Sequence, residues 1–195
     1  MRGNLTHNSS RPGKIKYMPT DLLHVVTGGP GSGKTTLVDA LAAAGLRTSA
    51  EVGRRIIREQ VAAGGTALPW ADERRFAELM LPAEVAAHAA ALAVGEPVVL
   101  DRGVPDVIGF LRVSGLPVPP AFDAAARATR YNPRVFLAPF WAEIYTHDTE
   151  RKQDADVAAR TEAVMRDVYA GYGYDLIALP RVPVAERVRF VLARL

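Results

Sequence analysis

Short runs of residues that favour strands alternate with longer stretches in which apolar residues recur at helical spacing. The runs predict five strands, at Leu22–Thr27, Arg47–Ala50, Pro97–Leu100, Arg134–Ala138 and Asp175–Leu179. The longer stretches predict helices at Lys34–Ala44, Val52–Ala63, Ala71–Val94, Asp106–Ser114, Pro120–Thr129, Asp154–Ala170 and Val184–Leu195. Pro82 lies inside the third helix and should kink or split it. Strands that alternate with helices predict a parallel sheet covered on both faces, which is a three-layer α/β fold.

The first 19 residues lack any such periodicity. They are mostly polar, and they contain four basic residues and no acidic one. We therefore predict a flexible leader over residues 1–19, followed by one domain over residues 20–195, a length that suits a single core.

The chain carries a net charge of +3, but this excess is concentrated in the leader. Outside the leader, the chain has 20 basic residues and all 21 acidic ones. The domain therefore lacks the basic surface of a nucleic-acid binder, and no nucleic-acid partner is expected. The chain has no cysteine, which excludes disulfides, thiolate zinc sites and cysteine nucleophiles. The longest apolar run, Val85–Val94, is far shorter than the ~20 residues that span a bilayer, so we predict a cytoplasmic protein without a membrane span.

A glycine-rich segment between the first strand and the first helix matches the phosphate-loop pattern G-x-x-x-x-G-K-[ST]. Its residues are Gly28, Gly29, Pro30, Gly31, Ser32, Gly33, Lys34 and Thr35, followed by Thr36. Glycines let backbone N–H groups turn toward a phosphate, and the dipole of the following helix favours an anion there. Lys34 can reach the β- and γ-phosphates, and the hydroxyl of Thr35 can ligate Mg²⁺. The segment therefore predicts a site for ATP or GTP together with Mg²⁺.

A buried strand that ends in an acid follows, as a protein with a phosphate loop requires. Asp101 closes the apolar run 98–100 and is predicted to hold Mg²⁺ together with Thr35. The next residue is Arg102, at the position where many hydrolytic motors place a second acid that activates water. An arginine suits a negatively charged substrate or phosphate, which favours transfer to an acceptor over hydrolysis. The alternative role of Arg102 is a salt bridge that caps a helix or braces the loop.

Asp106 begins a weak D-x-x-G pattern of the kind that switch GTPases carry. No N-K-x-D motif for reading guanine occurs in the chain. We therefore interpret Asp106 as an ordinary residue near the N-terminus of a helix.

Glu51 follows the second strand, at the edge where open α/β sheets bind ligands. Its carboxylate could bind the hydroxyl of an acceptor or take its proton. The alternative is a helix-capping acid beside Arg54 and Arg55, with both arginines facing solvent. Candidate walls of an acceptor pocket are Trp70, Asp72 and Phe76, although Trp and Phe more often belong to the core.

The segment Trp141–Lys152 lies between the fourth strand and a long helix. Phosphotransferases need a mobile piece here that closes cationic groups over the γ-phosphate and excludes water. Arg151 is the first candidate for that role and Lys152 the second, and a solvated helix N-terminus is the alternative. The loop Leu179–Pro183 is a candidate contact for the purine base.

Several short sequences carry a resemblance to a known family. They are Glu51–Ile57, Leu68–Asp72, Asp101–Asp106, Arg130–Asn132 and Glu150–Gln153. In these residues the chain resembles bacterial P-loop proteins catalogued as predicted AAA-domain ATPases, and the likeness spans nearly all of residues 22–195. More distantly, the chain is similar to the ribosylnicotinamide kinase domain of a bifunctional NAD regulator, and to nucleoside and nucleoside monophosphate kinases.

The resemblance implies a five-stranded parallel sheet in the order 2-3-1-4-5. It places the base of nucleoside kinases on Glu51 and their acid–arginine pair on Asp101 and Arg102, whereas Gly103 departs from the Ser or Tyr that usually follows that pair. We expect a kinase that transfers the γ-phosphate of ATP to a nucleoside-like or other small-molecule hydroxyl acceptor. The expected catalytic residues are Lys34, Asp101, Glu51, Arg102 and Arg151. The alternatives are an ATP- or GTP-binding regulator and a slow NTPase. The sequence leaves open whether the protein forms a homodimer.

Overall fold

The computed structural model describes residues 18–144 and 155–195. Its strands are β1 (Leu23–Gly28), β2 (Arg47–Ser49), β3 (Val98–Asp101), β4 (Arg134–Ala138) and β5 (Asp175–Ala178). Its helices are α1 (Lys34–Ala43), α2 (Val52–Ala62), α3 (Glu73–Val94), α4 (Val104–Val113), α5 (Pro120–Ala128), α6 (Ala155–Gly171) and α7 (Val184–Leu192). Short 3-10 helices lie at Pro19–Leu22 and Ala142–Ile144. Residues 1–17 of the predicted leader lie outside the described residues, so the leader stays a prediction.

The five strands form one parallel sheet in the order β2-β3-β1-β4-β5. β1 lies at its centre, pairing with β3 over residues 23–26 and with β4 over residues 26–28. Every residue of β1 is buried, as expected of a strand covered on both faces. The predicted fold class and strand order are confirmed.

Helices cover both faces of this sheet. On one face, α1 and α7 pack against the central strands around Leu37, Val26 and Phe136. On the other face, α3 and α6 pack against the same strands around Leu100 and Tyr169. A further apolar cluster joins α2, α3, α4, α5 and α6 to one another. The result is three layers, with an additional helical core beside one face of the sheet.

Helix α4 begins earlier than the sequence pattern predicts. It starts at Val104 rather than at Asp106, because Gly103 caps it and Pro105 lies in its first turn. Asp106 is therefore the third residue of the helix, and its carboxylate accepts a hydrogen bond from the Gly103 N–H at 3.1 Å.

Helix α3 is not split at Pro82, contrary to that part of the prediction. It continues as a single helix of 22 residues. Met80 and Glu84, on either side of the proline, are both buried. Tertiary packing therefore holds the helix together where the proline removes one backbone hydrogen bond.

In the described part of the chain, α3 is also the one helix that is long and apolar enough to cross a membrane. Its most apolar window has a mean hydropathy of 1.4. The apolar run Val85–Val94 is shorter than that window and does not by itself show how apolar the whole helix is. The buried side of α3 consists of Phe76, Ala77, Met80, Glu84, His88 and Ala91. A single helix of this kind, with its buried side in the protein core, is weak evidence for a membrane span.

Candidate functional site

The predicted site residues in the described part of the chain come together at one edge of the sheet. In a parallel sheet, the loops that leave the carboxyl ends of the strands share an edge. Following the strand order, this edge carries Glu51 after β2, Arg102 after β3, the phosphate loop after β1, Trp141 after β4 and Val182 after β5. All five positions line one cavity of about 670 Å³.

The phosphate loop requires glycine for two separate physical reasons. Gly28 has a φ of 134°, and a Cβ there would collide with the backbone carbonyl of Ala138 on the neighbouring strand β4. Gly33 caps α1 in the left-handed conformation, with a φ of 77°. As a glycine, Gly33 has no side chain that could cap the N-terminus of α1. The first N–H groups of the helix are therefore left for an anion.

Lys34 folds back over this loop. Its Nζ donates to the carbonyl oxygens of Gly28 at 3.0 Å and Gly29 at 2.6 Å, and to the hydroxyl of Ser32 at 3.3 Å. Burial and the charge of Arg102 lower the pKa of Lys34 to about 7, against the pull of nearby carboxylates. A phosphate entering the loop would offer this ammonium group the negative partner that the carbonyls only partly replace.

Asp101 and Thr35 lie close enough to share one cation. The Thr35 hydroxyl donates to Oδ2 of Asp101 at 3.4 Å, while the buried Oδ1 of Asp101 has no hydrogen-bond partner among the described residues. Burial, followed by the charge of Glu51, raises the pKa of Asp101 to about 6. A buried carboxylate oxygen without a partner, beside a hydroxyl, is a donor set that fits Mg²⁺.

Glu51 is held between two arginines. Its carboxylate accepts hydrogen bonds from Nε of Arg102 at 2.8 Å and from Nε of Arg54 at 2.9 Å. Burial disfavours the charged form of Glu51, but the positive charges of Arg102 and Lys34 outweigh it and lower the pKa to about 2. Glu51 is therefore a fixed carboxylate anion at the cavity wall.

Arg102 has an unusual backbone. Among residues 18–144 and 155–195, it is the one non-glycine residue with positive φ, at 78°. Its guanidinium donates to Glu51, to the Gly28 carbonyl at 3.2 Å and to Asp106 at 3.0 Å. The predicted loop-bracing salt bridge is therefore present, and it braces the same carboxylate that was predicted to face the acceptor.

Asp106 is the site residue that sequence reasoning missed, because it was interpreted as an ordinary helix start. Besides Arg102, its carboxylate accepts hydrogen bonds from the Thr27 hydroxyl at 2.7 Å and the Tyr169 hydroxyl at 2.6 Å. These partners come from β1, α6 and the end of β3. The position of Asp106 near a helix N-terminus is confirmed. Its hydrogen bonds to several elements, however, depend on residues far away in the sequence.

Gly103 departs from the nucleoside-kinase pattern for a local reason. A Cβ at this position would press on the ring of Tyr131 at 2.9 Å. The Tyr131 hydroxyl accepts a hydrogen bond from the N–H of Val104 at 3.1 Å. The tyrosine thus occupies space that a larger residue after Arg102 would need.

Arg187 of α7 braces the phosphate loop from behind. Its Nη1 donates to the Ser32 carbonyl at 3.0 Å, its Nε donates to the Pro180 carbonyl at 2.9 Å, and its guanidinium lies 5.0 Å from the Trp141 ring. Sequence reasoning did not single it out. The available signal was its spacing with Val184 and Val191, which places an arginine on the apolar side of α7.

The cavity has an apolar half, on the side formed by α3, α4 and α6. Phe76 and Met80 of α3, Phe110 of α4 and Met165 of α6 line it, and the rings of Phe76 and Phe110 meet edge to face with centroids 5.3 Å apart. One carboxyl group, that of Glu84, lies among them.

The remaining candidates divide between lining positions and other roles. Residues that line the cavity are Trp70, Phe76, Arg160, Val182 and Pro183. Asp72 instead caps α3 by accepting from the Arg75 N–H at 2.9 Å, so its predicted place in the acceptor wall is wrong. Arg55 pairs with Glu59 on the exposed side of α2. Arg151 and Lys152 lie outside the described residues.

Comparisons with solved structures agree with this fold. A deoxyadenosine kinase from M. mycoides, solved with products dCMP and a flexible dCDP, aligns with a TM-score of 0.65 and 12% identity over 88% of this chain and 97% of that chain. A NadR protein in complex with NR aligns with a TM-score of 0.66 and 19% identity over 88% of this chain and 50% of that chain. At these identities the likeness shows the P-loop nucleoside kinase fold.

Sequence comparisons identify the family. A search of curated proteins finds no match. The family model described as AAA domain matches residues 23–187, which is most of the chain. The resemblance predicted from the sequence is thereby confirmed, and the chain belongs to the AAA domain family.

Proposed function

We propose that this protein is a phosphotransferase that moves the γ-phosphoryl group of ATP or GTP to a hydroxyl of a nucleoside-like acceptor. The observation that carries the proposal is the anion of Glu51, fixed by Arg102 in the cavity that also contains the phosphate loop. The nucleoside kinase fold and the family match support nucleotide binding at this loop.

The phosphate end of the cavity has the groups that phosphoryl transfer needs. Lys34 and the open N-terminus of α1 supply positive charge for the phosphates. Asp101 and Thr35 would hold Mg²⁺. When bound, Mg²⁺ neutralises charge on the phosphate oxygens.

Glu51 would orient the acceptor hydroxyl rather than act as a strong base. A carboxylate whose pKa is lowered to about 2 has little driving force for taking a proton at neutral pH. A loose phosphoryl-transfer transition state asks mainly for positioning, and a fixed hydrogen-bond acceptor provides it. Arg102 keeps the carboxylate of Glu51 in place and adds positive charge beside the transferred phosphoryl group.

The same pairing supports a second candidate. A glutamate tied to two arginines, with no acid directly after Asp101, is poorly suited to activating water. A protein with these features and no acceptor would hold its nucleotide for long times. An ATP- or GTP-binding regulator, or a slow NTPase, is therefore the alternative to the kinase.

The proposal is tested by Glu51→Gln, with Glu59→Gln as the matched control on the exposed side of α2. The acceptor panel is deoxyadenosine, deoxycytidine, nicotinamide riboside and free ribose. We expect Glu51→Gln to bind ATP normally by calorimetry and to lose transfer to the preferred acceptor by about 10²-fold or more. Glu59→Gln should behave as wild type. Transfer that is equally fast in wild type and Glu51→Gln would contradict the assigned role.

A further inference from the structure

The apolar half of the cavity contains a carboxyl group that the proposed transfer step does not use. Glu84 projects from α3 and lines the cavity, although its exposed fraction is only 3%. None of the hydrogen bonds or ion pairs within residues 18–144 and 155–195 includes Glu84. A buried carboxyl that faces a cavity without a protein partner is costly unless a ligand completes its hydrogen bonds.

The surroundings of Glu84 fit a flat ring. Phe76 and Met80 precede it at helical spacing on the same helix, and Phe110 and Met165 line the cavity from α4 and α6. The edge-to-face pair of Phe76 and Phe110 presents aromatic surface on which a planar group can pack.

The apolar walls supply contact area. Two other buried polar residues of these helices line the cavity, but Asp106 already accepts hydrogen bonds and the Thr161 hydroxyl donates to a carbonyl of its own helix. Glu84 is therefore the buried polar group that can orient such a ring.

The charge state of Glu84 decides what it can recognise. Burial raises its pKa to about 8, with Asp106 adding to the effect, Arg102 opposing it, and Glu51 and Asp101 adding smaller contributions. At neutral pH the group is therefore mainly an uncharged carboxylic acid. Such an acid offers one O–H donor and one carbonyl acceptor side by side.

We propose that Glu84 is a specificity-determining residue that reads the ring of the acceptor, and that this ring carries a hydrogen-bond donor next to an acceptor. The amino group and ring nitrogen of adenine or cytosine form such an edge, and so does a carboxamide. The uncharged acid donates its O–H to the ring acceptor and accepts from the ring donor through its carbonyl. This inference rests on the proposed function and specifies the acceptor as a nucleoside with an uncharged, paired donor–acceptor edge.

Four variants separate hydrogen bonding from charge. Glu84→Gln keeps a donor and an acceptor without a titratable proton, whereas Glu84→Leu removes both. Glu78→Gln is the control, because it neutralises a carboxyl on the exposed side of the same helix, outside the cavity lining. Glu84→Leu removes an unpaired buried carboxyl, so it should fold with an undiminished melting temperature, and Glu84→Met provides a second apolar variant.

The measurement is KM and kcat for deoxyadenosine, deoxycytidine, nicotinamide riboside and ribose, with KM for ATP as the internal reference. We expect Glu84→Leu to raise KM for the preferred nucleoside by about 10- to 100-fold and to leave KM for ATP unchanged. Glu84→Gln and Glu78→Gln should stay within about threefold of wild type.

Two results would overturn the inference. One is an unchanged nucleoside KM in Glu84→Leu, which would make the carboxyl irrelevant to the ring. The other is a loss in Glu84→Gln as large as in Glu84→Leu, which would mean that a charged carboxylate is needed. If no compound in the panel is phosphorylated by wild type, the proposed function itself fails, and this outcome is distinct from the other two.

Discussion

At the scale of single residues, Arg102 shows how the site is held together. A left-handed backbone costs a residue with a Cβ about 1–2 kcal/mol. Arg102 adopts it with a φ of 78°, and its guanidinium bonds to Glu51, Asp106 and the Gly28 carbonyl. Backbone strain that is offset by a buried network is typical of functional sites. The strain is consistent with a role of Arg102 in fixing Glu51.

The first residue-scale prediction concerns Lys34. Lys34→Ala removes the ammonium group that lies over the phosphate loop, and we expect the affinity for ATP or GTP to fall by about 10- to 100-fold. The fold should persist, because within residues 18–144 and 155–195 the Nζ of Lys34 bonds only to atoms of its own loop. Calorimetry gives the affinity and circular dichroism the fold, with exposed Arg55→Ala as the control. Equal nucleotide affinity in a folded Lys34→Ala variant would refute the assignment.

The second residue-scale prediction concerns the dependence of stability on pH. The pKa of Glu84 is raised from 4.5 to about 8, so the folded state retains a proton that the unfolded state releases. The contribution of Glu84 to the free energy of unfolding therefore decreases as pH rises between those values, by up to about 1.4 kcal/mol for each pH unit. Glu84→Gln lacks this titration.

The matching measurement is the melting temperature between about pH 5 and about pH 8. The advantage of Glu84→Gln over wild type should grow with pH across this range. Glu78→Gln, on the exposed side of the same helix, should track wild type. A difference that stays flat or shrinks with rising pH would contradict a protonated Glu84.

The residues that sequence could and could not predict differ in how far away their partners lie. Lys34 and Thr35 belong to a local motif whose spacing alone indicates their chemistry. Asp106 acquires its role from Thr27 and Tyr169, which lie 79 and 63 positions away. No local pattern contains that information, and the same holds for the position of Glu84 in a cavity wall.

At the scale of secondary-structure elements, α7 stabilises the phosphate loop. Arg187 joins the loop at Ser32 to the segment after β5 at Pro180. Arg187 and Ser32 are 155 positions apart in the sequence. The helix therefore acts as a brace that a motif search does not detect.

Replacing this brace gives the element-scale prediction. Arg187→Leu leaves the Ser32 carbonyl without its guanidinium partner, and we expect a loss of about 1–3 kcal/mol in the free energy of unfolding together with weaker nucleotide binding. The control is Arg189→Leu on the exposed side of the same helix. Denaturant unfolding and calorimetry measure the two effects. Equal stability and affinity in the two variants would rule out the bracing role.

The same scale explains where helix prediction succeeded and failed. Periodicity predicted each of the described α-helices to within a few residues, whereas the two short 3-10 helices were not predicted. It wrongly allowed α3 to split at Pro82, since local propensity does not include the packing of Met80 and Glu84 on both sides of the proline. The start of α4 was misplaced because Pro105 is favourable in a first turn.

At the scale of the whole molecule, the strand order determines which loops can cooperate. With β1 between β3 and β4, the phosphate loop lies between Asp101 on one side and Trp141 on the other, and β2 carries Glu51 further along the same edge. The sequence resemblance was sufficient to predict this order. The apolar half of the cavity was not predictable, because it depends on how α2, α3, α4 and α6 pack against one another.

The central claim is transfer to an acceptor, and the most direct test is ATP consumption by the wild-type protein with Mg²⁺, with and without each compound of the panel. We predict slow consumption without acceptor, a marked acceleration with one nucleoside, and a product whose mass has increased by one phosphoryl group. Rapid release of inorganic phosphate without any acceptor, unaffected by the panel, would contradict the account and indicate an NTPase. Tight nucleotide binding without turnover under every condition would also contradict it and favour a regulator.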